Sequence, residues 1–476
     1  MNPTAQLLEP EVRELIRDGR YSELRDALHG IPPADVADIL GELSPAEAAV
    51  GFRFLLRDDA GEVFAYLPAE KQEELITELG TEGSLRVIEA MEPDDRVKLL
   101  DELPAEVCQR IVASLSPEKR RITQAILGYP PGSVGRLMTP DYVKVRPEWT
   151  VARALEHIRK TGRDAETVNV VYVVDDQGRL IDDVRLRQLL FAEPEQTLDS
   201  IMNRQFIGLK ADDPQDVAVQ VMSRYDRIAL PVTDSRGLLV GIVTADDVAD
   251  VAQARATEQI QRIGGMEALD EPYMATPVLV LARKRGMWLA VLFLGEMFTQ
   301  TAMAGFEHDI EKAAVLATFV PLIVSSGGNS GSQATSLIIR ALAVGEITAR
   351  DWGRVFVREL IGGAILGLAL GLIGVLRIHV WGWLGWFVKR DADGQALPSS
   401  VTAQDHYHLL AVTVGVAVLG VVLWGTIIGS MLPFVLKKLG LDPATSSAPF
   451  VATLVDVIGV LLYFGVSALL LRGTLL

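Results

Sequence analysis

The chain has 476 residues, 62 acidic against 45 basic side chains and a hydrophobic share of 49%. These totals average two unlike parts: residues 1–285 hold 50 Asp/Glu and 34 Lys/Arg, net −16, whereas residues 286–476 hold 12 and 11, net −1, mostly in long apolar runs. That division excludes a single soluble enzyme, and the negative charge of the first part repels phosphate, which excludes nucleic acid as a partner.

The single cysteine, Cys108, leaves no disulfide framework and no thiolate metal cage. The opening residues are charged and helix-like, without the apolar core of a secretory signal. From there to residue 130 the sequence predicts an all-α superhelix. Pro33, Pro45, Pro68, Pro93, Pro104 and Pro117 recur at spacings of 12, 23, 25, 11 and 13, mostly followed by an acid. Proline fits the first helical position and acids favour the positive end of the helix dipole, so each proline marks a helix start. Units of about 12 residues predict short helices that bury their faces only by stacking on one another.

Residues 131–250 change period. Val168 to Gly178 and Arg227 to Gly237 each read as a buried strand running into a tight turn before a second strand, related by an offset of 59, with Leu137-Met138-Thr139 echoed by Ile201-Met202-Asn203. This duplicated α/β unit resembles a tandem pair of cystathionine-β-synthase (CBS) domains. The resemblance implies an adenine nucleotide, ATP or a relative, with a Thr-x-x-Asp pattern at its ribose; Thr244 and Asp247 match that pattern in the second copy. The first copy departs, with Arg185 and Gln188 at those places and Asp182-Asp183 where the second has Gly241-Ile242. Residues 251–285 read as a charged connecting helix and linker containing Pro272 and Pro277.

Residues 286–476 offer five candidate spans, 287–306, 313–342, 355–376, 409–432 and 447–471, each near the ~20 apolar residues that a bilayer core requires. Basic residues flank one set of ends: Arg283, Lys284 and Arg285; Arg340, Arg350, Arg354 and Arg358; Lys437 and Lys438. The opposite loops are acidic or mixed (Glu307, Asp309, Glu311; Lys389, Arg390, Asp391, Asp393), which predicts a cytoplasmic N-terminus and an outer C-terminus in a cell membrane. Trp381, Trp383 and Trp386 fit an outer interfacial belt.

Asp456 stands near the middle of the fifth span, where a carboxylate costs ~2.5–3.5 kcal/mol on insertion scales, so it must face water, an ion or a partner. In the second span Pro321 precedes Gly327-Gly328-Asn329-Ser330-Gly331. Those residues predict a weakened, interrupted helix lining a watery cavity, with close packing through small residues as the alternative. Glu296 in the first span is a weaker candidate, and none of the six histidines falls in a predicted pore motif.

Taken in order, the parts resemble the MgtE family of magnesium channels. The resemblance is carried by residues 327–333 with Ile339-Arg340-Ala341-Leu342, Leu441-Asp442-Pro443, Pro449 through Asp456, the CBS pair and Ala256-Thr257-Glu258. It implies a homodimer in the lipid bilayer whose pore lies on the two-fold axis between second and fifth spans. Asp456 of each subunit would meet hydrated Mg²⁺, with Ala452, Gly459 and Asn329 beside it, and the connecting helix would be a plug. The chemistry agrees, because Mg²⁺ sheds water reluctantly and prefers one or two carboxylates plus carbonyls.

Regulation is expected from acids that repel one another until a cation bridges them: Asp94, Asp95, Asp213, Asp216, Asp226, Asp246, Asp247, Asp250, Glu258 and Asp442. High Mg²⁺ would compact the soluble part and draw the connecting helix under the pore. The sequence departs from the common family pattern at Arg255, Gln259 and Ala448. A transporter of Co²⁺, Ni²⁺ or Mn²⁺ and a CBS-containing membrane sensor remain the alternatives; no Walker A, zincin or nucleophile-elbow motif supports an enzyme.

Overall fold

A computed structural model describes residues 3–103, 105–269, 273–274, 276–388 and 398–475. Pro104, Pro272 and the loop residues Lys389, Arg390, Asp391 and Asp393 lie outside the described residues. The chain divides into two compact units, Met1–Ala254 and Arg255–Leu476.

The first unit opens with short helices stacked around Leu24, Ile39, Leu40, Phe64 and Ile88, all buried. Prolines open the helices Pro33–Gly41, Pro45–Arg53, Pro93–Glu102 (α1) and Pro117–Leu127, and Pro68 caps Ala69–Ala90. The two double-length spacings contain starts that carry no proline. Helix Arg57–Tyr66 begins after Leu56, and Ala69–Ala90 is broken by Gly80 at φ 70°. The unit of about 12 residues therefore runs through both.

Two three-stranded sheets follow. β1 (Tyr142–Val145) runs parallel to β2 (Thr167–Val174), which pairs antiparallel with β3 (Leu180–Arg185). β4 (Leu209–Lys210), β5 (Ala229–Thr233) and β6 (Leu239–Thr244) repeat that order. The repeated turns are alike in detail: Asp175 Oδ1 accepts from the Gln177 and Arg179 amides, Asp234 Oδ1 from those of Arg236 and Leu238, and Gly178 and Gly237 take φ values of 81° and 79°. Only glycine adopts that conformation without strain. The sheets join where Thr139 and Ile242 exchange backbone hydrogen bonds, both 2.9 Å. Helix α2 (Gln215–Tyr225) packs on the second sheet, and α3 (Ala245–Ile263) leaves it, with the boundary between the units falling inside α3.

The second unit holds α4 (Val278–Ala304), α5 (Val320–Ala343), α6 (Trp352–Trp383), α7 (Tyr407–Lys438) and α8 (Ala448–Leu470). Four stretches among the described residues are long and apolar enough to cross a membrane: Ala314–Ala343, Ala349–Trp383, Tyr407–Lys438 and Ala448–Leu470. Helix α4 is 27 residues long, yet Arg283, Lys284, Arg285 and Glu296 fall within it, so its composition sets it apart from these four.

The expected break around residues 325–333 is absent. Helix α5 runs unbroken from Val320 to Ala343, with Pro321 in its first turn, where proline is tolerated. The glycines serve contact instead: a Cβ on Gly425 or Gly429 of α7 would run into the carbonyl oxygen of Gly327 or Gly331 of α5. Ser330 Oγ meets Thr426 Oγ1 at 2.8 Å, and Thr335 Oγ1 donates to the Gly429 carbonyl at 2.8 Å. Small residues let two helices approach closely where lipid supplies no hydrophobic drive. Gly429→Val is accordingly expected to lower the melting temperature of the detergent-solubilised protein by several degrees. Gly420→Val, at an α7 position whose Cβ would meet nothing within 4 Å, should leave it unchanged. Equal melting of the two variants would refute this packing role.

Candidate functional site

Helix α8 begins with Ser447, whose hydroxyl accepts from the Phe450 amide and also receives the indole N–H of Trp288 at 3.1 Å. Two further turns on stands Asp456, half-buried. Its Oδ1 lies 3.4 Å from where a Cβ on Gly328 would be, and the Ala452 Cβ is equally close to that point, so the bare backbone of Gly328 makes room for both. Among the described residues the Asp456 carboxylate has neither a hydrogen-bond donor nor an ion-pair partner, and the nearby charge acting on it is another acid, Glu296 of α4. An interhelical hydrogen bond does not account for it.

Asn329 is exposed on α5, its Nδ2 donating to Ser325 Oγ at 3.3 Å. Gly459 is placed differently: it is buried, and its Cβ would meet Val421 at 3.2 Å, so it belongs to the α7–α8 contact. The structure thus groups Asp456, Ala452 and Gly328, with Asn329 next to Gly328 in the chain and Gly459 packed behind.

The acids of the first unit gather where two helix starts meet. Asp94 and Asp95 occupy the first turn of α1, Asp246 and Asp247 that of α3. Each pair favours its own helix dipole, but together they crowd negative charge. Asp94 is 8% exposed and one of its carboxylate oxygens has no hydrogen-bond partner among the described residues. Burial, then the charges of Asp247, Asp95 and Glu92, hold its carboxyl well above the usual range. Burial likewise pushes Asp247 up to about 6, although Thr244 Oγ1 donates to it at 2.7 Å. Glu92 keeps solvent contact, yet the partial burial of its carboxyl and its neighbour Glu166 raise it to about 8. Lys98 Nζ, 3.7 Å from Asp250, is a nearby counter-charge.

Glu92 and Glu166 carried no local signal, since one precedes a helix and the other a strand, and only the tertiary fold brings them together. The strongest electrostatic neighbours of Asp94, Asp95 and Asp247 do not include Asp213, Asp216 or Asp226, which lie on or beside α2. Asp213 instead accepts from the Lys210 amide at 2.9 Å in a turn, and Asp226 ends α2 at φ 49°.

In the second unit Glu258 and Asp442 are joined by a cation that the acid pattern did not foretell. Arg262 reaches Glu258 with Nη2 at 2.6 Å and Asp442 with Nη1, and Arg255 also pairs with Glu258 at 3.2 Å. Asp442 in addition caps the turn before α8, accepting from the Ala444 amide at 2.9 Å. Among the described residues no three His, Cys, Asp or Glu side chains converge closely enough to grip a metal ion directly.

The CBS pair contains a cavity of about 300 Å³ at the first copy, lined by Asp183, Arg185, Arg187, Gln188, Asn203 and Arg227. Arg227 Nη1 pairs with Asp183 Oδ2 at 2.7 Å, while Asp183 Oδ1 and the buried Tyr172 hydroxyl find no hydrogen-bond partner among the described residues. Asp182, 1% exposed, accepts from the Asn203 and Arg204 amides, both at 2.9 Å, and is structural. The expected pair in the second copy lies elsewhere: Thr244 is buried and bonded to Asp247, which belongs to the acidic cluster.

Comparisons agree along the chain. Residues 320–466 match a family model described as the divalent cation transporter MgtE, residues 31–132 the MgtE intracellular N domain, and residues 134–195 and 198–254 the CBS domain. The magnesium transporter MgtE of Thermus thermophilus is 36% identical over 469 residues, 98% of this chain and 99% of the relative. That of Bacillus subtilis is 27% identical over 453 residues, 95% of each chain. A solved structure of the soluble part of a magnesium transporter, 24% identical, covers 53% of this chain and 99% of its own at a TM-score of 0.51, a likeness of fold.

Proposed function

The chain belongs to the MgtE family of magnesium transporters, and from that premise we propose how its residues move and sense the ion. It is a multi-pass membrane protein that transports Mg²⁺, and it is not an enzyme. In our reading α4 is a fifth span, about 40 Å long at 1.5 Å per residue, with Arg283 to Arg285 at the cytoplasmic surface. The N-terminus then lies inside and the C-terminus outside. Two copies form a homodimer whose pore runs between α5 and α8, and paired Asp456 carboxylates meet hydrated Mg²⁺ there. The observation that carries this is Asp456 itself, an acid in a membrane helix that has no donor or counter-ion among the described residues.

Mg²⁺ is both cargo and signal. At high cytosolic concentration, hydrated ions neutralise Asp94, Asp95, Asp246, Asp247 and Asp250, join sites that include Asp213, Asp216 and Asp226, and set the end of α3 as a plug that closes the pore. At Glu258 and Asp442 part of that bridging charge is already supplied by Arg262. Flux into proteoliposomes, with Mg²⁺ varied on the side of the soluble part, tests the scheme: wild type should fall silent at millimolar Mg²⁺. Arg262→Gln should leak more at low Mg²⁺ and still close at high Mg²⁺. Flux indifferent to Mg²⁺ on that side would sink the feedback, and equal flux of Co²⁺, Ni²⁺ or Mn²⁺ would sink the selectivity.

For an adenine nucleotide, the first-copy cavity is the better fit. Arg185, Arg187 and Arg227 can face phosphates, and Gln188 and Asn203 line the same cavity to accept or donate. At Thr244 and Asp247 a ribose would have to displace an existing hydrogen bond within the acidic cluster. Calorimetry should show ATP binding weakened at least tenfold by Arg185→Ala or Arg227→Ala and little changed by Thr244→Val; the reverse pattern would return the site to the second copy.

A further inference from the structure

We propose that His379 and His408 form a binding site for a borderline transition-metal ion of the Zn²⁺, Ni²⁺ or Co²⁺ class, separate from the Mg²⁺ path. His379 stands in the next-to-last turn of α6 and His408 in the first turn of α7. These helix ends are pinned together: Gln404 Nε2 donates to the Gly382 carbonyl at 2.6 Å, and any Cβ on Gly382 would strike the Tyr407 ring. The Tyr407 ring lies edge-on to His379 at 5.7 Å and close to His408 at 4.0 Å, which keeps both imidazoles at this junction.

The hydrogen bonds assign the protons. His379 Nδ1 is 2.8 Å from the Val375 carbonyl, which can only accept, so Nδ1 carries hydrogen and the Nε2 lone pair points at His408 Nδ1, 3.1 Å away. A ring nitrogen donating to a backbone carbonyl while the other nitrogen presents its lone pair is the usual posture of a metal-bound histidine. The separation suits two ligands of one ion as well. Nitrogens about 2.0–2.1 Å from a metal stand roughly 3.4 Å apart at a tetrahedral angle and roughly 2.9 Å apart at a right angle. The observed spacing lies between, so the ion would sit to one side of the line joining the two nitrogens, each ring turning its lone pair toward it, and would replace the single proton now shared. That proton leaves His408 Nδ1 and one is taken up at His408 Nε2, so neutral rings bind without net proton release.

Access and charge permit it. His408 is exposed and His379 half-buried. Of the nearby charges, Arg377 is stacked on Trp381, 4.6 Å from the ring centroid, and Asp405 is an exposed acid just before α7. No third His, Cys, Asp or Glu converges on the pair among the described residues, so water completes the coordination. Imidazole nitrogens favour borderline ions over hard, oxygen-seeking Mg²⁺.

The test is Ni²⁺ and Zn²⁺ titration of the purified full-length protein in detergent, with millimolar Mg²⁺ present throughout. One ion per chain should bind in wild type and in Asp456→Asn, and affinity should drop at least tenfold in His408→Gln and in His379→Gln. Zn²⁺ should also raise the melting temperature of wild type but of neither histidine variant, each of which should otherwise melt as wild type does. Binding that survives both histidine variants, is lost with His406→Gln alone, or is displaced by Mg²⁺ overturns the proposal. None of those results would touch the transport reading.

Discussion

Asp456→Asn is expected to cut Mg²⁺ flux into proteoliposomes by tenfold or more while leaving the protein folded. Asparagine keeps the shape and one carbonyl oxygen, so only the charge is removed. The contacts around it are small and neutral, Gly328 and Ala452, and none donates a hydrogen bond whose loss would unsettle the helix packing. Burying a charge at this depth costs ~2.5–3.5 kcal/mol, so neutralising it should if anything favour insertion. A structural acid would therefore yield a variant that transports normally, whereas an ion-binding acid yields a stable protein that does not transport. Losing about 1.4 kcal/mol of ion stabilisation is already tenfold, and in the proposed homodimer two charges are lost at once. Glu296→Gln should reduce flux less, because Glu296 acts on Asp456 from another helix. Equal flux from wild type and Asp456→Asn, with Mg²⁺ as the only permeant cation, would return Asp456 to a structural role.

Local rules made much of the fold legible. Helix starts at Pro33, Pro45, Pro93 and Pro117 follow from the fixed φ and missing amide of proline, and the turns at Asp175 and Asp234 follow from aspartate and glycine chemistry at a constant offset. The start at Arg57 and the break at Gly80 carry no proline, so the period skipped there. Residues 325–333 were misleading for a different reason. Glycine costs a free helix about 1 kcal/mol per residue, but in α5 that cost is offset by contact with Gly425 and Gly429, roughly a hundred residues further on and outside any local reading. The acids were visible one by one. That Glu92 and Glu166 join Asp94, that Arg262 sits between Glu258 and Asp442, and that the arginine-lined cavity lies at the first CBS copy are tertiary facts.

Acid and Mg²⁺ should substitute for each other at the Asp94 cluster, and this is the second large effect we expect. Each of Glu92, Asp94 and Asp247 has a folded-state pKa above its unfolded value, so the packed arrangement binds more protons than the loosened one. Its stability therefore falls as pH rises, with the loss beginning near the unfolded carboxylate range and continuing through the raised folded values, about 6 at Asp247 and about 8 at Glu92, with Asp94 held well above the ordinary range. Glu92 keeps solvent contact, so Asp94 and Asp247, which are more enclosed, carry the larger share. Hydrogen-exchange protection factors of α1 and of the first turns of α3 report the packing. In metal-free full-length protein they should be high at about pH 5 and fall steeply by about pH 9, while millimolar Mg²⁺ should hold them high throughout. Asp94→Asn with Asp247→Asn should remove most of the pH slope and of the need for Mg²⁺, leaving only the smaller share due to Glu92, since two like charges leave the contact and Thr244 can still donate to the amide oxygen at 247. Protection that rises with pH in the metal-free protein would mean that the carboxylates are paired with cationic side chains instead of repelling one another, and the compaction mechanism would fall with it. If instead the double variant is flat but open, the side chains hold the contact by hydrogen bonding rather than by controlled repulsion, and Mg²⁺ must act at Asp213, Asp216 or Asp226.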